Sequence, residues 1–171
     1  MTFNSLLIAN RGEIACRIIK TAKEMGIRSI AVYVDADKDA LFVKEADESV
    51  NLSDGGYLDS KQIINAAKKT GAQAIHPGYG FLSENASFAR KVKKEGIVWV
   101  GPSPNVISVM GDKLKAKELA IKASVPTLPM TSNPNEAKKI GYPLLIKAAA
   151  GGGGKGMRIV EKDKDLKESI S

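Results

Sequence analysis

Alternation is the feature that most constrains this chain. Short apolar runs are followed repeatedly by stretches whose apolar residues recur every three or four positions, and several of those stretches stop at a glycine. The run 5–9 predicts a buried strand. Over 13–25, Ile14, Ala15, Ile18, Ile19, Ala22 and Met25 share one helical face, and Gly26 ends it. The β-branched stretch 29–34 predicts a second strand. A helical crossover of that length joins parallel strands. The pattern then repeats, with a helical stretch over about 38–46 and a strand at 48–52. A helix follows over 60–70, opened by Asp59 or Ser60 and closed by Gly71, and then a strand at 72–75 that ends at His76-Pro77. Last come a helix over 83–94, capped by Ser83 and closed by Gly96, and a strand at 97–100 ending at Gly101-Pro102. The fold expected is α/β: an open parallel sheet of the Rossmann-like kind with helices on both faces. Ligands on such sheets bind at the carboxyl ends of the strands, here Asn10-Arg11, Asp35, 76–80 and 101–103.

The character changes after Gly101. Helical stretches are predicted near 105–110 and 113–123, and 125–134, with three prolines, reads as a linker. A short helix at 135–140, a strand at 142–148, a glycine loop at 151–156, a strand at 157–160 and a helix from Lys164 complete the order. The domains expected are 1–124 and 125–171, the second too short to close a core of its own. The chain is therefore expected to be a piece of a longer protein.

Composition removes several classes of function. Hydrophobic residues make up 43% and charged residues 26%, the mixture of a globular protein. No run reaches the roughly 18 apolar residues of a membrane span, and no basic region precedes the apolar start as it would in a signal peptide. A cytoplasmic location is expected, or the mitochondrial matrix in a eukaryote, although no transit peptide is evident. The single cysteine, Cys16, excludes an intramolecular disulfide and fits a reducing compartment. The net charge of +7 raises the question of nucleic acid. Its lysines are spread along the chain, however, and the pairs 68–69, 93–94 and 138–139 lie near helix ends, where cations complement the dipole. With few aromatics to stack on bases, no nucleic-acid partner is expected.

The glycine loop carries the chemistry. Gly151, Gly153 and Gly156 satisfy G-x-G-x-x-G, but a dinucleotide fingerprint needs a helix next, and Met157-Arg158-Ile159-Val160 reads as a strand. No Lys-Ser or Lys-Thr pair follows the glycines, so a P-loop fails too. A strand, glycine hairpin and strand remain. Consecutive glycines let backbone N–H groups turn onto an anion and let the loop close over it. The bland reading is a plain flexible hairpin. Lys147, at the end of an apolar strand, either meets a phosphate or snorkels to solvent.

Four blocks resemble the biotin carboxylases, which serve acyl-CoA and pyruvate carboxylases. They are Leu7-Ile8-Ala9-Asn10-Arg11-Gly12-Glu13-Ile14-Ala15, His76-Pro77-Gly78-Tyr79-Gly80-Phe81-Leu82-Ser83-Glu84-Asn85, Met110-Gly111-Asp112-Lys113, and Ile146-Lys147-Ala148-Ala149-Ala150 running on through the glycines to Lys155-Gly156-Met157-Arg158. The resemblance covers essentially the whole chain, and the last block looks most like the acyl-CoA carboxylase branch. It implies an N-terminal pre-ATP-grasp domain, a glycine-flap subdomain that begins here, and a C-terminal ATP-grasp lobe beyond. The family's reaction phosphorylates bicarbonate with ATP, and the biotin ureido nitrogen then takes up the CO2.

By resemblance, Lys113 and Lys147 contact ATP, Gly153 and Gly154 lie over its phosphates, and Lys155 adds a cation on the flap. His76, Tyr79 and Glu84 would line the mouth of the site near bicarbonate and biotin. Against this, His76 before a proline is also what simply ends a strand, and Glu84 also suits a helix N-terminus. Arg17 and Lys20 lie off the apolar stripe of the first helix, either solvated or at a homodimer interface; Cys16 reads as inert. No metal ligand is expected within the chain, since the Mg2+ carboxylates normally come later, and the 129–136 linker looks short for the family. The partners implied are a biotin carboxyl carrier and a carboxyltransferase component. The alternatives are another ATP-grasp ligase of the carbamoyl-phosphate synthetase type, a non-catalytic dimerisation module, and a nicotinamide-dependent dehydrogenase, the last disfavoured by the strand after the glycines.

Overall fold

A computed structural model describes residues 3–53, 55–147 and 157–170. The chain divides into two compact units, Met1–Gly111 and Asp112–Ser171. The division falls before helix α6 (Lys113–Lys122), whereas the sequence led us to expect it after that helix.

In the first unit, β1 (Ser5–Ile8), β2 (Arg28–Tyr33), β3 (Glu48–Asn51), β4 (Ala74–His76) and β5 (Val98–Trp99) form one parallel sheet in the order β3-β2-β1-β4-β5. The first strand in the chain is therefore the central one. Its four residues are all buried, as a strand covered on both faces requires. Successive side chains point to opposite faces, so Leu7, Ile30, Val32 and Ile75 feed one core and Leu6, Ile8, Ala31 and Ala74 the other. The first core is closed by α3 (Ser60–Thr70), α4 (Ala86–Lys94) and α5 (Pro104–Gly111) through Ile63, Phe88, Val92 and Ile107. Phe88 and Trp99 meet edge to face there, with ring centroids 5.5 Å apart. The second core is closed by α1 (Gly12–Glu24) and α2 (Leu41–Glu45) through Ile18, Ile19, Ala22 and Phe42.

Local chemistry sets the element ends. Asp59 caps α3 by accepting from Lys61 and Gln62 N–H, and Gly71 closes it in the left-handed region at φ 65°. The helix expected from Ser83 starts later, because the cap is Asn85, whose side chain accepts from Phe88 N–H at 2.9 Å. The helix expected over 38–46 is shorter: a 3-10 turn at Asp35–Asp37 precedes it, Ala40 is extended, and α2 runs only from Leu41 to Glu45.

In the second unit, α6 contributes no buried residue. After a 3-10 turn at Pro134–Glu136 and α7 (Ala137–Ile140), β6 (Leu144–Ile146) pairs antiparallel with β7 (Arg158–Val160), Leu145 opposite Ile159. A 3-10 turn at Asp163–Asp165 leads into α8 (Leu166–Ile170). Ala137, Val160 and Leu166 form its small core, with Tyr142, Leu144 and Ile146 packed against it.

Candidate functional site

The strand order reverses at β1, where the chain runs one way to β2 and β3 and the other to β4 and β5. The crevice beyond the carboxyl ends of β1 and β4 is the place where such sheets hold ligands. The β1–β4 ladder ends with Ala9 N–H on His76 O at 2.9 Å. Just past it, Asn10 is 2% exposed and its amide nitrogen donates to the carbonyls of both Pro77 and Tyr79, at 2.7 Å each. Its side-chain oxygen accepts from Arg11 N–H at 2.9 Å.

The turn after β4 is built around that amide. Gly78 sits at φ 64°, and a Cβ there would stand 2.7 Å from the Asn10 nitrogen, so only glycine fits. The Gly78 N–H donates to His76 Nδ1 at 3.0 Å. An Nδ1 that accepts places the ring proton of a neutral imidazole on Nε2. Burial also lowers the imidazole pKa by disfavouring the charged ring. His76 is thus a neutral Nε2–H donor near pH 7. Tyr79 is 61% exposed, yet its hydroxyl donates to the Glu13 carboxylate on the first turn of α1. Phe81 holds a left-handed φ of 42°, and its ring lies 5.4 Å from that of Tyr57.

A second cluster supports this edge. Asp37, 7% exposed, accepts from Arg11 Nε at 2.7 Å and from the Tyr57 hydroxyl at 2.6 Å, and a second guanidinium nitrogen of Arg11 completes a bidentate pair. The hydrogen bonds from Arg11 hold the Asp37 carboxyl below the usual carboxylate range. Burial, then the bond to Asp37, pushes the Tyr57 hydroxyl up. The sequence marks Asn10 and Arg11 as a strand end where ligands bind and, with Glu13, as part of the first family-like block, but assigns none of them a role and does not single out Asp37 or Tyr57.

The expected residues fall in three places. His76 ends β4 and Tyr79 follows on the 77–79 turn, while Glu84 lies exposed in the turn before α4. Arg17 and Lys20 are exposed on α1, one turn apart, while Cys16 is half-buried and its thiol is raised by burial and then by Glu45. In the second unit, Lys113 opens α6 behind Asp112, which caps the helix by accepting from Leu114 and Lys115 N–H at 3.0 and 3.1 Å. Lys147 is exposed just past the end of β6. Gly153, Gly154 and Lys155 lie outside the described residues. A groove of about 340 Å³ runs along α6 between Leu114, Lys117, Ile121 and Met130, and neither Lys113 nor Lys147 lines it. Among the described residues, no group of His, Cys, Asp and Glu is placed to hold a metal ion, and no helix is long and apolar enough to cross a membrane.

A parallel sheet with a polar turn at its switch point, followed by an antiparallel strand pair on either side of a glycine-rich stretch of sequence, is the arrangement of the N-terminal part of an ATP-grasp ligase. The family described as "Biotin carboxylase, N-terminal domain" matches residues 2–107, and that described as "Carbamoyl-phosphate synthase L chain, ATP binding domain" matches residues 112–171. Methylcrotonoyl-CoA carboxylase subunit alpha of Dictyostelium discoideum is 52% identical over 96% of this chain and 25% of its own length. The biotin carboxylase of Campylobacter jejuni, solved as a complex with a form of ATP, superposes with a TM-score of 0.92 at 48% identity, over 98% of this chain and 40% of that one. The biotin carboxylase domain of Hydrogenobacter thermophilus 2-oxoglutarate carboxylase, a dimer in complex with MgADP, ADP and bicarbonate, gives a TM-score of 0.92 at 44% identity, over 98% of this chain and 40% of that one. The chain belongs to the biotin carboxylase family. It spans about a quarter of the length of the curated relatives it matches.

Proposed function

We propose that this chain forms the N-terminal domain and the start of the glycine flap of an enzyme that carboxylates biotin with ATP and bicarbonate, within an acyl-CoA carboxylase. The observation that carries the reading is the turn 76–80, held at the switch point of the sheet by Asn10 and presenting His76 and Tyr79 together. Sequence relatives on the acyl-CoA branch, methylcrotonoyl-CoA and propionyl-CoA carboxylases, support the finer assignment.

His76 with its proton on Nε2 serves as a hydrogen-bond donor to an oxygen of bicarbonate or of the biotin ureido group, and Tyr79 offers an aromatic face beside it; Glu84 lies near the same mouth. Lys113, Lys147 and Lys155 supply positive charge to ATP, and Gly153 and Gly154 supply N–H groups over its phosphates, where charge develops during phosphoryl transfer. Carboxylates from the rest of the protein would hold Mg2+, which would neutralise phosphate charge; among the described residues no group of three or more His, Cys, Asp and Glu is placed to do so. A biotin carboxyl carrier and a carboxyltransferase are the partners proposed, and the reaction is placed in the cytoplasm or the mitochondrial matrix. A homodimer through α1 places Arg17 and Lys20 at its interface. Charge reversal at both positions is then expected to shift the complete protein from dimer to monomer in size-exclusion chromatography.

The testing experiment is ADP release with Mg-ATP, bicarbonate and free biotin, run on this chain and on the complete reading frame. Turnover of the long form that requires bicarbonate and rises with biotin, with this chain silent, supports the proposal. A long form indifferent to bicarbonate overturns it in favour of another ATP-grasp ligase. That second reading draws on the carbamoyl-phosphate synthase description matched by residues 112–171. The His76–Asn85 block in the other unit argues against it.

A further inference from the structure

We infer that Asn10 is a positioning residue for the biotin end of the site, its buried amide fixing the backbone of the 77–79 turn and with it the directions of His76 and Tyr79. The inference rests on the proposed function, which puts those two side chains against substrate.

Beyond the last ladder bond, Ala9 N–H to His76 O, the chain after β4 leaves the sheet. What holds it next is one side chain from a strand end 67 residues earlier. The Asn10 nitrogen makes two bonds, to the carbonyls of Pro77 and Tyr79, and its oxygen is taken by Arg11 N–H. Both N–H donors of a side chain 2% exposed are therefore directed at this turn. The fit is steric as well as polar, because a Cβ at Gly78 would come within 2.7 Å of the same nitrogen. With Gly78 fixed, its N–H reaches His76 Nδ1 and selects the imidazole tautomer. Tyr79 is tied at both ends, its carbonyl to Asn10 and its hydroxyl to Glu13, although 61% of its surface is open. An exposed aromatic held at backbone and tip is costly to build for packing alone, whereas a substrate-facing ring needs that fixed direction. Asn10 touches no reacting atom; it acts through the turn.

The test compares steady-state parameters of the complete carboxylase with those of Asn10→Asp and Gly78→Ala, using free biotin as probe and bicarbonate-dependent ADP release as readout. Asn10→Asp keeps the side-chain shape but sets a carboxylate against two carbonyl oxygens. Gly78→Ala leaves the amide in place and displaces only the turn. For both, kcat/KM for biotin is expected to fall roughly ten- to a hundredfold while KM for ATP stays within about twofold. Equal losses towards biotin and ATP indicate general disruption and overturn the inference, as does wild-type behaviour in a folded Asn10→Asp protein. If Asn10→Asp fails to fold, Gly78→Ala decides by the same two criteria. Absence of bicarbonate-dependent turnover in the wild-type protein marks failure of the proposed function itself and takes the inference with it. Variant-specific outcomes with an active wild type concern Asn10 alone.

Discussion

A carboxylate buried among three donors is a pH-sensitive joint. Asp37 accepts from two nitrogens of Arg11 and from the Tyr57 hydroxyl, and these bonds depress its pKa. A group whose folded pKa lies below its unfolded value of about 3.9 stabilises the fold fully above that pH, and the contribution is lost as pH falls through the folded value. Asp37→Asn is therefore expected to lower stability at neutral pH and flatten the acid limb below about pH 4, read by urea denaturation against pH. Asp37→Ala also strands the Tyr57 hydroxyl and is expected to cost about 1–3 kcal/mol at pH 7. His76 is the only histidine, so its signals are unambiguous. Nitrogen-15 NMR is expected to show a neutral ring protonated on Nε2 that titrates below about 6.5, the usual histidine value. An Nδ1–H tautomer would remove the Gly78 bond from the site. Neither Asp37 nor the role of Asn10 was legible in the sequence, because their bonds span 26 and 67 residues and leave no local spacing to read. His76 and Tyr79 were legible, since they sit within one contiguous block.

Helices and strands in the first unit followed the hydrophobic period closely, because each buries a face against the sheet and the period records that burial. What shifted were their ends, which depend on single polar contacts. Serine at 83 and asparagine at 85 both suit a cap, and only the turn geometry selects Asn85. Asn85→Ala is expected to cost about 1 kcal/mol and Ser83→Ala clearly less, measured by thermal unfolding. At Gly71 no atom lies within 4 Å of an added Cβ, so Gly71→Ala tests backbone strain alone. The loss expected is about 1–2 kcal/mol, the cost of a left-handed φ. The helix expected over 38–46 is present but shorter, Leu41–Glu45, because Ala40 takes an extended backbone and the helix starts only after it. In the second unit, β6 starts at Leu144, later than the strand expected from residue 142, and among the described residues Leu144–Ile146 pairs with β7.

At the scale of the whole chain, all five strands of the parallel sheet and both large cores lie within Met1–Gly111. A polypeptide of residues 1–111 is expected to unfold in one cooperative transition, with far-UV and near-UV circular dichroism changing together. Separate transitions would show that the second unit is needed to complete its packing. The strand order carries a further consequence for synthesis. A nascent chain emerges from the ribosome with β1 first, and β2 can pair with it soon afterwards. The opposite edge of β1 must wait for β4, which begins only at residue 74. Until then the central strand of the finished sheet is an outermost one, with its apolar side chains and amide groups open to any passing strand. The interval in which this polypeptide is most prone to wrong associations is therefore set by how quickly translation reaches the segment that Asn10 later clasps.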